Sequence, residues 1–289
     1  MISFLKREKI LGLDITEEYV RYALVLNSYK GSRILEAGTE KIPRVEPRNA
    51  LMSAILNILR KTKCKKANIS IQSDIVKHYL VSIKKETPKN FIKEELIIKL
   101  KESDPVSVKN DIFYFNKRFT ENNFDFYDIF VTDNLNISFF KSVFENTGLV
   151  VKKVIKRSDA LQNSCIPKGQ LKSTMIINYE NFDLDVSIYN LFNQYKDFHI
   201  NANKDNVYLE IKKIHVEYFN QNEENINSFL LSGSFAADIY FLNTLKRFSG
   251  FPIKQADVFI NLLNTKNQLP VVTKDESFSF AIAIGAAII

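Results

Sequence analysis

The sequence has no tryptophan, two cysteines, three histidines, eight glycines and seven prolines among 289 residues, and each shortage narrows what the chain can be. Cys64 and Cys165 lie about a hundred residues apart without a CxxC spacing, and His78, His199 and His215 are scattered, so neither a disulfide framework nor a metal site is expected. So little glycine and proline, beside 25 % charged residues, excludes collagen-like and low-complexity disordered chains. Long apolar runs are missing as well. The opening MISFLKREK holds too short an apolar stretch for a signal peptide, and the closing FSFAIAIGAAII falls short of the roughly 20 residues that span a bilayer. The expectation is a cytoplasmic protein with no membrane insertion of its own. A strong charge bias is also lacking, since 40 basic and 33 acidic residues give a diffuse +7 that favours an anionic neighbourhood without naming one. Arg60, Lys61, Lys63, Lys65 and Lys66 either bind nucleic acid or lipid headgroups or simply end a helix, where cations complement the dipole and are solvated. Lys152, Lys153, Lys156 and Arg157 alternate with Val151, Val154 and Ile155 as in a half-exposed strand, and no aromatic platform interleaves with them, which argues against nucleic acid as a partner.

What is present is apolar and aromatic: 45 % hydrophobic residues, with 23 Phe and 12 Tyr, enough for one large domain or two ordinary ones. Period-2 alternation marks strands at 9–15, 19–26 and 33–41, and Pro47 opens a helix with the apolar face Leu51, Ile55, Ile58 and Leu59. The strand KANISIQ closes this unit. The same order returns as STMIINYEN, DLDVSIYNL and QYKDFHI, a helix over 206–221 facing inward with Val207, Ile211, Ile214 and Tyr218, and the strand INSFLLSG. Two copies of three strands, a helix and a strand imply a duplicated α/β protein with mixed sheets. Between them HYLVSI, a helix from Pro88, the hairpin DIFYFNKRF and FDFYDIFV, and a helix over 136–147 stopped by Gly148 make an inserted β-α-β-β-α subdomain. The expected domains are 1–76 with 150–170, the insertion 77–149, and 171–289. In strand 112–119 alternation puts Phe113, Phe115 and Phe119 on one face and Ile112 and Tyr114 on the other.

KILGLDITEEYVRYALVL (residues 9–26) reads as strand, tight turn and strand, with Asp14 where the chain reverses. Proteins that hold nucleotide phosphates on such a turn usually place a glycine two residues after the aspartate, whereas this chain has Thr16. Asp14 either coordinates a magnesium ion through water or makes an Asx-type turn. Ser232-Gly233-Ser234 either cradles an adenine or ribose or joins strand to helix with Ser234 as N-cap.

The element order, with ILGLDITEEYVRYAL, FFKSVFENTGLVVKKVIKRSDAL, INSFLLSGSFAADIYFLNTLKRFSGFPIKQAD and the closing FAIAIGAAI, resembles the actin-like (ribonuclease H-like) superfamily in its bacterial branch of FtsA- and PilM-type proteins. The resemblance implies a nucleotide cleft whose motifs here are degenerate. Gly12 and Asp14 match the first phosphate loop and Thr16 does not. The second loop, expected as aspartate, any residue, glycine and a later threonine, reads Asn178, Tyr179, Glu180 and Leu184, while Ser232, Gly233 and Ser234 keep the adenosine motif. Nucleotide-binding relatives carry a cleft-closing subdomain between the third strand and the helix of the second half, where this chain has about five residues, too few for a folded unit. Losing three charge-assisted phosphate contacts costs roughly 4–9 kcal/mol. The resemblance therefore implies no cofactor and no catalysis, but a cytoplasmic adaptor at the inner-membrane platform of a type IV pilus or related secretion system. Its partners would be the N-terminal tail of a PilN-like membrane protein and pilus motor ATPases, with an oligomer allowed. Competing readings are an active actin-like ATPase or filament former, and an FtsA-like protein. PilM-type relatives hold the tail as an extended peptide between the first half and the insertion. Candidates for that groove are Tyr79, Val81 and Ile83 on one strand with Phe113 and Phe115 on another; the alternative is that all five fill the insertion's core.

Overall fold

A computed structural model of the chain describes residues 7–43, 47–72, 75–103, 110–170, 172–190, 195–263 and 273–288. Thirteen strands and eight α-helices alternate along these residues. The first repeat is β1 (Glu8–Ile15), β2 (Tyr19–Ser28), β3 (Gly31–Lys41), α1 (Pro47–Thr62) and β4 (Lys66–Ile71). The insertion follows as β5 (Lys77–Lys84), α2 (Ile92–Ser103), β6 (Asn110–Glu121) and β7 (Phe124–Asp133), and then α3 (Asn134–Thr147), β8 (Val150–Val154) and α4 (Arg157–Cys165). The second repeat is β9 (Thr174–Glu180), β10 (Asp183–Tyr189), β11 (Tyr195–Asn201), α5 (Val207–Asn222), β12 (Ser228–Ser232), α6 (Ile239–Ser249) and β13 (Ile253–Gln255), and α7 (Lys274–Ser277) and α8 (Ala281–Ala287) close the chain.

The duplication is explicit in the sheets, ordered β3-β2-β1-β4-β8 and β11-β10-β9-β12-β13. In the second, β10 runs antiparallel to β9 and β11 while β12 is parallel to β9 and β13, so the sheet is mixed as expected. The helices repeat too: α1 packs on α3, and α5 on α6. Asp133 starts α3 by accepting from the backbone N–H of Asn136 at 2.7 Å, and Gly148, at φ 70°, stops it in the left-handed conformation that favours glycine. The expected inward face of α5 is the buried one. On α1, Ala54 is buried where Leu59 is only half-buried. Pro88–Phe91 forms a turn, so α2 begins later than Pro88.

The chain divides into two compact units, one of Met1–Gly12, Tyr22–Gly38 and Ser158–Ile289, the other of Leu13–Arg21 and Thr39–Arg157. In the first unit the closing apolar stretch is a core helix. All seven residues of α8 are buried. A Cβ on Gly12 would stand 1.9 Å from the Ala283 carbonyl oxygen, and one on Gly285 1.7 Å from that of Ala160, so two glycines let α8 lie against β1 and α4. Among the described residues no helix is long and apolar enough to cross a membrane.

In the second unit the insertion sheet has the order β5-β7-β6, with α2 over one face. Strict alternation fails on β6. Ile112 pairs with Val131 and the next pair is Tyr114 with Phe130, so Phe113 is the extra residue of a bulge. The bulge puts Ile112 and Phe115 together on the α2 side, where Val81, Ile83, Leu96, Leu100, Tyr127, Ile129 and Val131 form the core. The alternating assignment that grouped Phe113 with Phe115 is thereby corrected.

Candidate functional site

The turn after β1 is built by Thr16, not by Asp14. The Thr16 hydroxyl accepts from the backbone N–H groups of Glu18 (3.3 Å) and Tyr19 (3.1 Å), and the Thr16 N–H donates to the Tyr19 carbonyl at 3.0 Å. These are local side chain-to-backbone bonds of the ST-turn kind. Amide groups that a glycine at this position would leave open are taken by the side chain. Asp14 belongs to β1, 1 % exposed, and its carboxylate accepts from the Arg157 guanidinium at 2.7 Å. The sequence reading that put Arg157 on a half-exposed cationic strand is also corrected, because it opens α4 and is buried.

The equivalent hairpin of the second repeat turns differently. Glu180, the last residue of β9, is buried, and its carboxylate accepts from the Ser234 N–H at 2.9 Å. Asn181 (φ 43°) and Phe182 (φ 72°) make the reversal, both in the left-handed region, and Phe182 is exposed. Gly233 has φ 90°, and a Cβ there would meet the Tyr179 carbonyl oxygen at 2.4 Å. The Ser232 hydroxyl and the Gly233 N–H both donate to the Phe278 carbonyl, at 3.3 and 3.1 Å. Ser234 is not an N-cap: it begins a short 3-10 turn without a side-chain cap, and Asp238 caps α6 by accepting from Phe241 at 2.9 Å. The Tyr179 ring stacks on Phe235 (4.9 Å) and Phe241 (5.5 Å), with the Lys204 ammonium over both of those rings. Only five residues, 202–206, join β11 to α5.

The five candidate groove residues separate. Val81 and Ile83 are buried under α2, with Tyr79 and Phe115 packed against the same core. Phe113 goes elsewhere. Its ring lies 5.6 Å from that of Phe140 on α3, and it lines an open groove of about 280 Å³ with Tyr114, Phe144, Leu149, Val151 and Val154. One wall is the insertion strand β6, another is α3, and the third is β8, the edge strand of the first sheet. The Tyr114 hydroxyl donates to the Lys152 carbonyl at 2.7 Å, tying β6 to β8 at the groove. Burial raises the Tyr114 pKa above its ordinary 10. Tyr114, Val151 and Val154 were invisible as site residues in the sequence, where they read as ordinary strand positions. The sole local signal was the density of aromatics in the insertion.

No protein-family model matches the sequence, and no curated protein does either. Solved structures do. A chain of the PilM-PilN type IV pilus biogenesis complex is similar with a TM-score of 0.75 over 98 % of both chains, at 11 % identity. The ethanolamine utilization protein EutJ from Carboxydothermus hydrogenoformans is similar with a TM-score of 0.54 over 99 % of this chain and 92 % of that one, at 10 % identity. The cytoplasmic domain of EpsL, an inner-membrane component of the type II secretion system of Vibrio cholerae, has a TM-score of 0.48 over 78 % of this chain and 82 % of that one, at 12 % identity. The chain has an actin-like α/β fold, shared with the chain of the PilM-PilN complex.

Proposed function

We propose that the chain is a non-catalytic adaptor of a type IV pilus or related secretion platform, and that the groove between β6, α3 and β8 holds the cytoplasmic N-terminal tail of a PilN-like membrane protein. The observation that carries the reading is this groove, set on a fold similar to that of a chain solved in a PilM-PilN complex. An extended peptide needs apolar pockets for alternate side chains and a strand edge for its backbone. Phe113, Phe144, Leu149 and Val151 supply the first and the outer edge of β8 the second. The adaptor role has support from the first hairpin, whose amides are taken by Thr16 and whose aspartate is paired with Arg157, and from Glu180, whose carboxylate takes the Ser234 N–H after β12. In this reading the protein lies at the cytoplasmic face of the inner membrane through its partner, and pilus motor ATPases are further partners.

Capture from detergent-solubilised membranes tests it. The intact chain should retain a single-span protein with a short cytoplasmic N-terminus, and Val151→Arg, which fills the groove from a half-buried position, should lose it with an unchanged melting temperature. Retention of that protein by Val151→Arg, or failure to retain any protein of that topology, overturns the reading.

A further inference from the structure

We infer that the groove selects its peptide by charge order, reading one acidic and one basic side chain two residues apart through Lys141 and Glu145. The inference rests on the groove being a peptide site. Lys141 and Glu145 both line it from α3, together with the apolar Ile137 and Phe144. Both side chains are exposed, and among the described residues neither makes an ion pair or hydrogen bond, although they stand four residues apart on one helix face. Lysine preceding glutamate is the weaker orientation for a helical pair, so little holds them to each other. Two opposite charges are thus presented side by side to whatever occupies the groove.

The spacing fits an extended chain. Side chains four apart on a helix are about 5–6 Å apart at Cβ, and side chains two apart on a strand share a face at roughly 6.6–6.8 Å. An extended peptide lying along α3 therefore sets an acidic residue against Lys141 and a basic one against Glu145. The residue between them points away from α3, toward the side lined by Tyr114 and Val151, and an apolar side chain suits it. The pattern is charged, apolar, oppositely charged, and its order fixes the direction in which the tail lies. Rim-exposed pairs of this kind contribute to discrimination and association rate more than to affinity.

The experiment pans a phage-displayed random 12-residue library on the intact chain, on Val151→Arg, and on the Lys141→Glu/Glu145→Lys swap. Groove-dependent clones are those lost on Val151→Arg. Among them the natural chain should enrich one charge order and the swapped chain the reverse. A synthetic peptide of the first kind should bind the swapped chain about threefold to tenfold more weakly, an exchange of the peptide's own two charges should restore binding, and 1 M salt should erase the difference. Groove-dependent clones without a charge order, or the same order on both chains, overturn the inference while leaving the groove reading intact. If no clone depends on the groove, both fall.

Discussion

Thr16 and Glu180 occupy corresponding places, each the last residue before the reversal of a repeat's first hairpin, and each accepts from backbone N–H with a side-chain oxygen, Thr16 within its own turn and Glu180 from Ser234 after β12. Asp14 and Arg157 are a buried ion pair, whose value lies mainly in what its disruption exposes. An isolated buried charge is far more costly than a pair. Arg157→Met should therefore destabilise the protein by about 3–5 kcal/mol in urea unfolding, because Asp14 stays buried without its guanidinium. Adding Asp14→Asn to that variant should recover part of the loss. A loss below about 1 kcal/mol for the single change would mean that Asp14 is compensated by other groups.

At the level of elements, the insertion sheet is held by an apolar core on its α2 side and by a polar cluster around Asp128. The carboxylate accepts from His78 at 2.8 Å, Arg118 at 3.0 Å and Asn116 at 3.2 Å. Burial by itself would raise the Asp128 pKa, but the His78 hydrogen bond and the nearby Arg118 charge outweigh it and hold the carboxyl below its ordinary 3.8. Because the folded value lies below the unfolded one, the stability this group contributes is present above pH 3.8 and is lost as pH falls through the folded value. Asp128→Asn should thus melt below the natural protein at pH 6, and the gap should narrow once the pH drops under 3.8. A gap that stays constant down to pH 2 would show that Asp128 titrates alike in both states.

For the whole molecule, each compact unit fills one of these backbone donor positions with a side chain of its own, the Glu18 and Tyr19 N–H groups with Thr16 and the Ser234 N–H with Glu180. A nucleotide bound with a Kd of about 10 μM would at 1 mM add about 2.7 kcal/mol of stability, or roughly 5 °C or more of melting temperature. We expect less than about 1 °C with 1 mM Mg-ATP. A shift of several degrees, abolished by Asp14→Ala, would instead support an active actin-like ATPase.

Local patterning determined a good deal. Period-2 runs and the 3.6-residue face of α5 located strands and helices because alternation encodes which side is buried, and the return of the same order exposed the duplication. The departure at Thr16 was legible too, since a missing glycine is a property of one position. What the residues around it do was not. Asp14 meets an arginine 143 positions away. Burial preference carries no information about which distant partner supplies the compensating charge. The bulge at Phe113 depends on cross-strand hydrogen bonds with β7, and by adding one residue to β6 it moved Phe113 out of the α2 core and into the wall of a groove assembled from β6, α3 and β8. Only the tertiary structure decides that groove, because its walls come from three elements whose adjacency is set by packing rather than by the spacing of residues in the chain.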